Sequence, residues 1–285
     1  MLFNSIEFAF FLPVVFLLYW FVTQRSLKLQ NAFLLCASYF FYGWWDWRFL
    51  SLILFSSMVD YWVGLRLSNS EVKRNRKWWL SLSIFVNLGF LGFFKYYNFF
   101  AESFAEAFTF MGASIEPSRL EIILPVGISF YTFQTLSYSI DIYRRKMQPT
   151  RDVIAFFAFV SFFPQLVAGP IERATNLLPQ FLRKRKFEYD KAVDGCKQLV
   201  WGLFKKMVIA DNCAHYANLI FEDPSAHSGS TLFLGALLFS FQIYGDFSGY
   251  SDIAIGVARM FGFNLMKIFS FPYFSRNIGE FWRRW

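Results

Sequence analysis

The sequence is poor in charge, in cysteine and in histidine. Only 17% of its 285 residues are charged, against about 25% in soluble globular proteins. The low charge accompanies a hydrophobic content of 56% and 41 phenylalanines. A water-soluble domain of this size could not hide so much apolar surface, whereas a bilayer accepts it as solvent. The composition therefore indicates an integral membrane protein.

The scarce reactive residues exclude several common sites. Cys36, Cys196 and Cys213 lie far apart, so they form neither a CxxC metal pair nor a disulfide framework. The sequence has no GxSxG, HExxH, P-loop or dinucleotide-binding pattern. His215 and His227 lie in a polar stretch, where a surface role is favoured over catalysis. Residue chemistry alone leaves the reaction open, and we expect no metal site.

Runs with little or no charge recur along the chain. Each is close to the roughly 20 residues that span a hydrocarbon core. The pattern predicts an all-α, polytopic transmembrane protein that forms a single membrane domain over residues 1–285, without internal repeats. The predicted membrane segments are 8–23, 29–45, 49–65 with Asp60 inside it, 78–94, 122–140, 153–171 and 225–245.

The charged residues between these runs predict the orientation. The net charge of +8 comes from short basic loops at 66–77, 144–151 and 183–186, while 101–121 and 211–230 are acidic. Loops of this kind are typical of the positive-inside rule and differ from the basic groove of a nucleic-acid-binding protein. We therefore predict that the N-terminus lies outside, and we expect no nucleic-acid partner.

Two segments do not fit a simple crossing. Residues 153–171 have basic loops on both sides and contain Pro164, Gly169 and Pro170, which break helices. A re-entrant or broken helix is therefore predicted there, buried in protein or beside a cavity. Residues 195–210 are interrupted by Lys205 and Lys206, and this stretch is interpreted as partly interfacial.

The richest polar cluster covers residues 242–252. Its acids, glycines and hydroxyls would disrupt a plain spanning helix, and polar residues in apolar runs are often functional. One interpretation is a cavity wall or a broken helix on a substrate path. The other is a helix end at the membrane surface, with Asp246 and Asp252 capping it or pairing with Arg259. The sequence leaves both interpretations open.

Three further motifs have a structural and a functional interpretation each. Residues 125–134 predict a helix that starts at a proline and carries hydroxyl groups on one face. In the structural interpretation, the small residues of this helix only allow a neighbouring helix to pack closely. Residues 163–173 predict a turn between interfacial helices or part of a polar path. The arginines and tryptophans of 272–285 suit either anion binding or membrane anchoring.

Four ordered motifs together resemble the bacterial branch of the membrane-bound O-acyltransferase family, which includes alginate O-acetylation and teichoic acid D-alanine transfer proteins. They are PVGISFYTFQTLSYSIDIYR (125–144), FPQLVAGPIER (163–173), YGDFSGYSDIAIGVARMFGF (244–263) and PYFSRNIGEFWRRW (272–285). The resemblance covers nearly the whole chain and is strongest to the alginate type. It implies N-terminal helices over 1–120 and the start of the family's core over 121–285.

The resemblance implies a function and a setting. The family transfers an acyl group, here expected to be acetyl, from a thioester donor to hydroxyls of an exported polysaccharide such as alginate. We expect an acyl-CoA or acyl carrier protein donor on the cytoplasmic side, no bound cofactor, and a place in the bacterial cytoplasmic (inner) membrane. Expected partners are membrane lipids and periplasmic or extracellular acetylation proteins. The alternatives are a non-catalytic scaffold for a periplasmic acetyltransferase and a polysaccharide or lipid transporter.

The resemblance also assigns residues. In the family a histidine follows the FWRRW run and a second histidine downstream is catalytic. The chain ends at Trp285, so no catalytic residue is expected within it, and the segment is expected to be inactive alone. Supporting roles along the substrate path are predicted for Gln165, Gly169, Pro170, Asp246, Ser248, Tyr250, Ser251, Asn277, Glu280, Trp282 and Arg283.

Overall fold

The computed structural model describes residues 1–110, 120, 123–125, 127–166 and 169–285. Every regular element in these residues is a helix, as predicted. The first predicted segments are confirmed as helices. They are α1 (Ile6–Leu17) with a π-helical turn (Leu18–Val22), α2 (Leu27–Gly43), and α3 (Leu50–Asn69) after a 3₁₀ turn (Trp47–Phe49).

The next helix is longer than predicted. α4 (Lys73–Leu91) continues through a π-helical segment (Gly92–Tyr96) into α5 (Tyr97–Phe110). The expectation of an acidic loop over 101–121 is therefore wrong up to Phe110, because alanine and glutamate favour a helix there. Glu116, Arg119 and Glu121 of that expected loop lie outside the described residues.

Helix α6 (Ile128–Tyr143) begins at a glycine and not at the predicted proline. Gly127 has a φ of 76°, and a Cβ atom there would lie 2.5 Å from the carbonyl oxygen of Leu166. Only glycine fits such a backbone. Within the predicted 125–134 motif, the hydroxyl-bearing side chains of Tyr131 and Thr132 are buried. Thr135 and Ser139, beyond that motif, are buried as well.

The predicted broken helix is confirmed. α7 (Val153–Val160) stops at Ser161, and α8 (Phe163–Leu166) follows after one turn. The break exposes backbone groups that side chains satisfy. The Phe159 carbonyl accepts hydrogen bonds from the side-chain amides of Gln134 (2.8 Å) and Gln165 (3.1 Å). Ser38 Oγ accepts from the Phe163 N–H at 3.1 Å. Polar side chains thus make the break possible inside an apolar core.

The second half is dominated by two long helical runs. After α9 (Ala174–Phe181), the first run is continuous and consists of α10 (Tyr189–Leu203), a π-helical segment (Phe204–Ala210) and α11 (Asp211–Glu222). The second run is α12 (Gly229–Met260), which packs along the first. α12 extends well beyond the predicted end of its span at residue 245.

A seam of glycines explains why α12 stays helical. A Cβ atom on Gly249 would lie 3.0 Å from the Gly202 carbonyl oxygen, and one on Gly256 would lie 2.5 Å from the Gly195 carbonyl oxygen. The two backbones therefore touch. Glycine normally weakens a helix, but here the close approach of a second helix compensates, as in small-residue packing between membrane helices.

We predict that Gly202→Val destabilises the protein by about 1–3 kcal/mol, the usual cost of overpacking. Its Cβ would lie 2.7 Å from the Gly249 carbonyl oxygen and 2.7 Å from the Ile253 nitrogen. Thermal unfolding of the intact protein in detergent checks this. Gly89→Ala is the control, since its Cβ would meet nothing within 4 Å. Equal melting temperatures for the two variants would refute the seam.

The chain closes with a short helix beside α12. A 3₁₀ turn (Pro272–Phe274) precedes α13 (Ile278–Arg284). The Ser270 N–H donates to the Arg284 carbonyl at 2.8 Å. This hydrogen bond holds the C-terminal end of α13 against the segment 264–271.

Length and composition allow three of the described helical runs to cross a membrane. They are Trp47–Asn69, Lys73–Phe108 and Gly229–Met260, and Ile6–Val22 and Val153–Leu166 are shorter apolar helices. Large apolar side chains remain exposed on their surfaces: Phe10, for example, is 71% exposed and Phe85 is 76% exposed. Lipid accepts such surfaces and water does not. The chain is a helical membrane protein.

Candidate functional site

A pocket lies beside α12, between the α10 run and residues 267–274. Its volume of about 770 Å³ falls within the range of about 300–1,000 Å³ that is usual for ligand sites. Most of the lining is aromatic or aliphatic and includes Trp201, Ile209, Phe241, Ile255, Phe269 and Phe274. Such walls suit an elongated apolar group.

The floor of the pocket is polar and is centred on Lys205. Its ammonium group pairs with the carboxylate of Asp252 and donates to the Ser248 carbonyl at 3.2 Å. The Gln198 side-chain amide donates to the same carboxylate at 3.0 Å. Lys205 is only 8% exposed. The ion pair therefore keeps a buried cation at one defined position in the wall.

The π-helical segment lets two neighbouring lysines reach α12. Lys206 donates to Asp246 (2.6 Å) and to Asp211 (2.7 Å), and its ammonium lies 5.6 Å from the centre of the Tyr250 ring. In a regular α-helix, two consecutive side chains point about 100° apart, which makes it hard for both to reach the same neighbouring helix. π-Helical turns of this kind are frequent at functional sites. The widened turn thus gives each lysine its own aspartate.

Two buried polar atoms lie beside Lys205 without a hydrogen-bond partner. Ser248 Oγ and Gln198 Oε1 make no hydrogen bond within the part of the chain that is described. The Tyr244 hydroxyl faces Ser248, without a hydrogen bond of normal geometry. Buried polar atoms usually have a partner.

The structure separates the residues predicted in the 242–252 motif. Ser248 and Ser251 line the pocket, whereas Asp246 and Tyr250 lie on the Lys206 side of α12. The cavity-wall interpretation is therefore correct for part of the motif. The broken-helix interpretation is wrong, because the glycines of α12 pack against the α10 run.

The other interpretation of the 242–252 motif, a helix end with Asp246 or Asp252 paired to Arg259, is also wrong about the ion pair. Arg259 forms its ion pair with Asp194 of α10, and not with Asp246 or Asp252. Both aspartates pair instead with the two lysines of the π-helical segment. Lys205 and Lys206 lie in a continuous helical run in which Lys205 is buried, and the partly interfacial position of residues 195–210 stays a prediction.

Gln165, Gly169 and Pro170 lie at the broken helix and do not line the pocket. The Gly169 N–H donates to the Gln165 carbonyl at 3.2 Å, so these residues shape the turn after α8. Glu172 follows them and was missed by the sequence prediction. It is 1% exposed and accepts hydrogen bonds from the Asn176 side chain and the Met266 N–H. Burial raises the pKa of Glu172.

The predicted residues of α13 hold that helix. Asn277 Oδ1 accepts from the Glu280 N–H at 2.8 Å and caps the helix. The Glu280 carboxylate binds Arg276 (3.0 Å) and Arg284 (2.7 Å). The backbone N–H of Arg276, followed by its guanidinium and that of Arg284, lowers the pKa of Glu280.

Trp282 and Arg283 differ from these, because both are exposed and make no pocket contact. α13 reaches the pocket through Trp285, whose ring lies 5.1 Å from that of Phe269, a pocket-lining residue. The position of α13 is thus coupled to one wall of the pocket. The roles expected for these residues stay predictions.

Sequence comparison identifies relatives over the whole chain. No family model matches it. The chain is 44% identical to a probable alginate O-acetylase of Pseudomonas aeruginosa, across 100% of this chain and 54% of that protein. It is 38% identical to a peptidoglycan O-acetyltransferase of Helicobacter pylori, across 100% of this chain and 59% of that protein.

A more distant relative extends the group. A teichoic acid D-alanyltransferase of Bacillus subtilis is 27% identical across 56% of this chain and 41% of that protein. The fold and pocket define a helical membrane protein with a mostly apolar pocket that has a buried lysine–aspartate pair in its wall. These relatives support the bacterial branch of the membrane-bound O-acyltransferase family, which the four motifs of the chain resemble. It spans just over half the length of the first relatives described above.

Proposed function

We propose that the protein containing this chain is a membrane O-acyltransferase that moves an acetyl group from a thioester to hydroxyls of an exported polysaccharide such as alginate. The supporting observation is identity of 38–44%, along the whole chain, to proteins named for O-acetylation of alginate and peptidoglycan. The proposal places the protein in the bacterial cytoplasmic membrane with its N-terminus outside. The donor, acyl-CoA or acyl carrier protein, approaches from the cytoplasm.

The proposed reaction needs a base and a hydrogen-bond donor. The hydrogen-bond donor stabilises the negative charge that develops on the thioester carbonyl oxygen. The base takes the hydroxyl proton while the oxygen attacks the thioester carbonyl carbon, and the carbon–sulfur bond then breaks. The thiolate leaves and is protonated. Histidine suits the basic role at neutral pH, and the family resemblance places that histidine beyond Trp285. Lys205 and Ser248 are suited to donate hydrogen bonds to the carbonyl oxygen as it becomes negative.

The pocket supports this proposal through its two kinds of surface. Its apolar walls suit the carbon chain of a thioester donor, and its polar floor offers donors fixed by the Lys205–Asp252 pair. Fixed donors in a dry site stabilise charge without rearrangement at the moment of reaction. Periplasmic or extracellular acetylation proteins are proposed to receive or direct the acyl group on the outer side.

Deletion of the whole gene, followed by complementation, tests the proposal. The O-acetyl content of the exported polymer, measured by mass spectrometry, is expected to fall to background and to return with the intact gene. Unchanged acetylation in the deletion strain would refute the function.

A variant of the downstream catalytic histidine separates an enzyme from a scaffold. Changing that histidine to alanine in the intact protein is expected to reduce acetylation about 10²–10⁴-fold, with the protein still in the membrane. Acetylation at the wild-type level would support the scaffold instead.

A further inference from the structure

The segment 263–266 leads directly into one wall of the pocket. Phe263 and Leu265 are buried, whereas Asn264 and Met266 are exposed. This alternation is that of an extended chain with one face on the core. Most of residues 267–274, which follow, line the pocket. A shift of the segment 263–266 would therefore move that wall.

Side chains from the α9 region bind the backbone of the two exposed residues. The Gln180 amide accepts from the Asn264 N–H at 2.8 Å and donates to the Asn264 carbonyl at 3.0 Å. Glu172 Oε1 accepts from the Met266 N–H, and Glu172 Oε2 accepts from Asn176 Nδ2 at 2.7 Å. The segment is thus bound along its backbone, much as a neighbouring strand would bind it.

These side chains stand on a fixed base. α9 buries Leu177, Leu178 and Phe181 and packs against α6 and α7. Glu172 lies just before α9 and is almost fully buried, so its carboxyl is held at one place. The Phe263 ring lies 4.6 Å from the ring of Phe181, which joins the segment to the same base.

We propose that Glu172 is a positioning residue for the acyl-donor pocket. It acts through the Met266 N–H, which it binds at the point where the chain enters the wall 267–274, and Gln180 shares this task at Asn264. The Ser270 N–H is bound by the Arg284 carbonyl, so the wall is held at a second point. The proposal rests on the proposed function, because that function assigns the pocket to the acyl donor.

Hydrogen–deuterium exchange of the intact protein in lipid nanodiscs tests the anchor itself. In Glu172→Ala, the backbone amides of residues 264–271 are expected to exchange about 10-fold faster, because a hydrogen bond that holds the segment is lost. Glu172→Gln keeps one acceptor oxygen for the Met266 N–H and should exchange as the wild type does. Glu188→Ala, which removes an exposed acid bonded to Lys191, is the control and should leave the exchange unchanged.

Thiol release from S-acetylpantetheine, with alginate as the acceptor, tests the effect on the donor site. Glu172→Ala is expected to raise the KM for S-acetylpantetheine about 10-fold with kcat nearly unchanged, because a displaced wall weakens donor binding. Glu172→Gln should restore the KM. A purely structural role would give a different result, since loss of folded protein lowers the apparent kcat and leaves the KM unchanged.

Gln180→Ala covers the case in which Glu172→Ala does not fold. It removes both hydrogen bonds to Asn264 and is expected to produce both changes in the same direction. Unchanged exchange of residues 264–271 in the folded variants would overturn the anchor. Faster exchange with an unchanged KM would overturn the role in the donor site. If the wild type releases no thiol, the proposed function and the donor role fail together, while the exchange measurement still decides the anchor.

Discussion

Lys205→Met is expected to destabilise the intact protein by about 3 kcal/mol, because removing one partner of a buried ion pair leaves the other charge unpaired. Asp252 would keep its carboxylate at the pocket floor with only Gln198 as a donor. We also expect polymer acetylation to fall, since the fixed donor beside Ser248 is lost. Thermal unfolding and polymer mass spectrometry measure the two effects.

A second lysine of the same helical run provides the control. Lys197 is exposed, so Lys197→Met should change stability by no more than about 0.5 kcal/mol, as is usual for surface substitutions. The double variant Lys205→Met/Asp252→Leu should recover much of the lost stability, because apolar replacement of a buried pair is often neutral. Equal stability of Lys205→Met and Lys197→Met would contradict the buried pair.

Ile209→Trp is expected to reduce polymer acetylation about 100-fold or more, since small misplacements in an active site can cost this much. Ile209 is half-buried and lines the pocket, and the larger ring would occupy the space assigned to the acyl donor. The variant leaves both lysine–aspartate pairs unchanged in sequence. Acetylation in a deletion strain that carries the variant gene provides the measurement.

The neighbouring residue offers a matched control. Val208 is 51% exposed and does not line the pocket. Val208→Trp, on the same π-helical segment, should therefore retain acetylation. If both tryptophan variants retained acetylation at equal protein levels, the pocket would not be on the path of the acyl group.

The helices were predictable where one local signal decides them. Runs with little or no charge predict α1, α2 and α3, and the basic flanks with Pro164 predict the break after α7. The continuity of α12 was not predictable, because Gly245 and Gly249 weaken an isolated helix. Its stability depends on Gly202 and Ala210 of another helix, which local pattern does not reveal.

The site residues also divide into those that a local motif predicts and those that depend on contacts between helices. The sequence of the 242–252 motif leaves a cavity wall and a helix end equally open, and the structure decides for the cavity wall at Ser248 and Ser251. In the sequence, Lys205 stands out only as an interruption of an apolar run. Its pairing with Asp252 depends on the register of two helices in contact, and the sequence alone gives no such register. A charge inside a membrane is costly enough to require a partner. The charge of Lys205 within an apolar run is therefore the signal in the sequence that it has a partner.

Photo-cross-linking tests the central claim that the acyl donor occupies this pocket. The probe is a non-hydrolysable pantetheine thioether with a diazirine in its acyl chain, applied to the intact protein. We predict labelling within residues 198–209, 241–259 or 267–274, competed by S-acetylpantetheine and lost in Ile209→Trp. Labelling confined to α1–α5, or labelling that S-acetylpantetheine does not compete, would contradict the account.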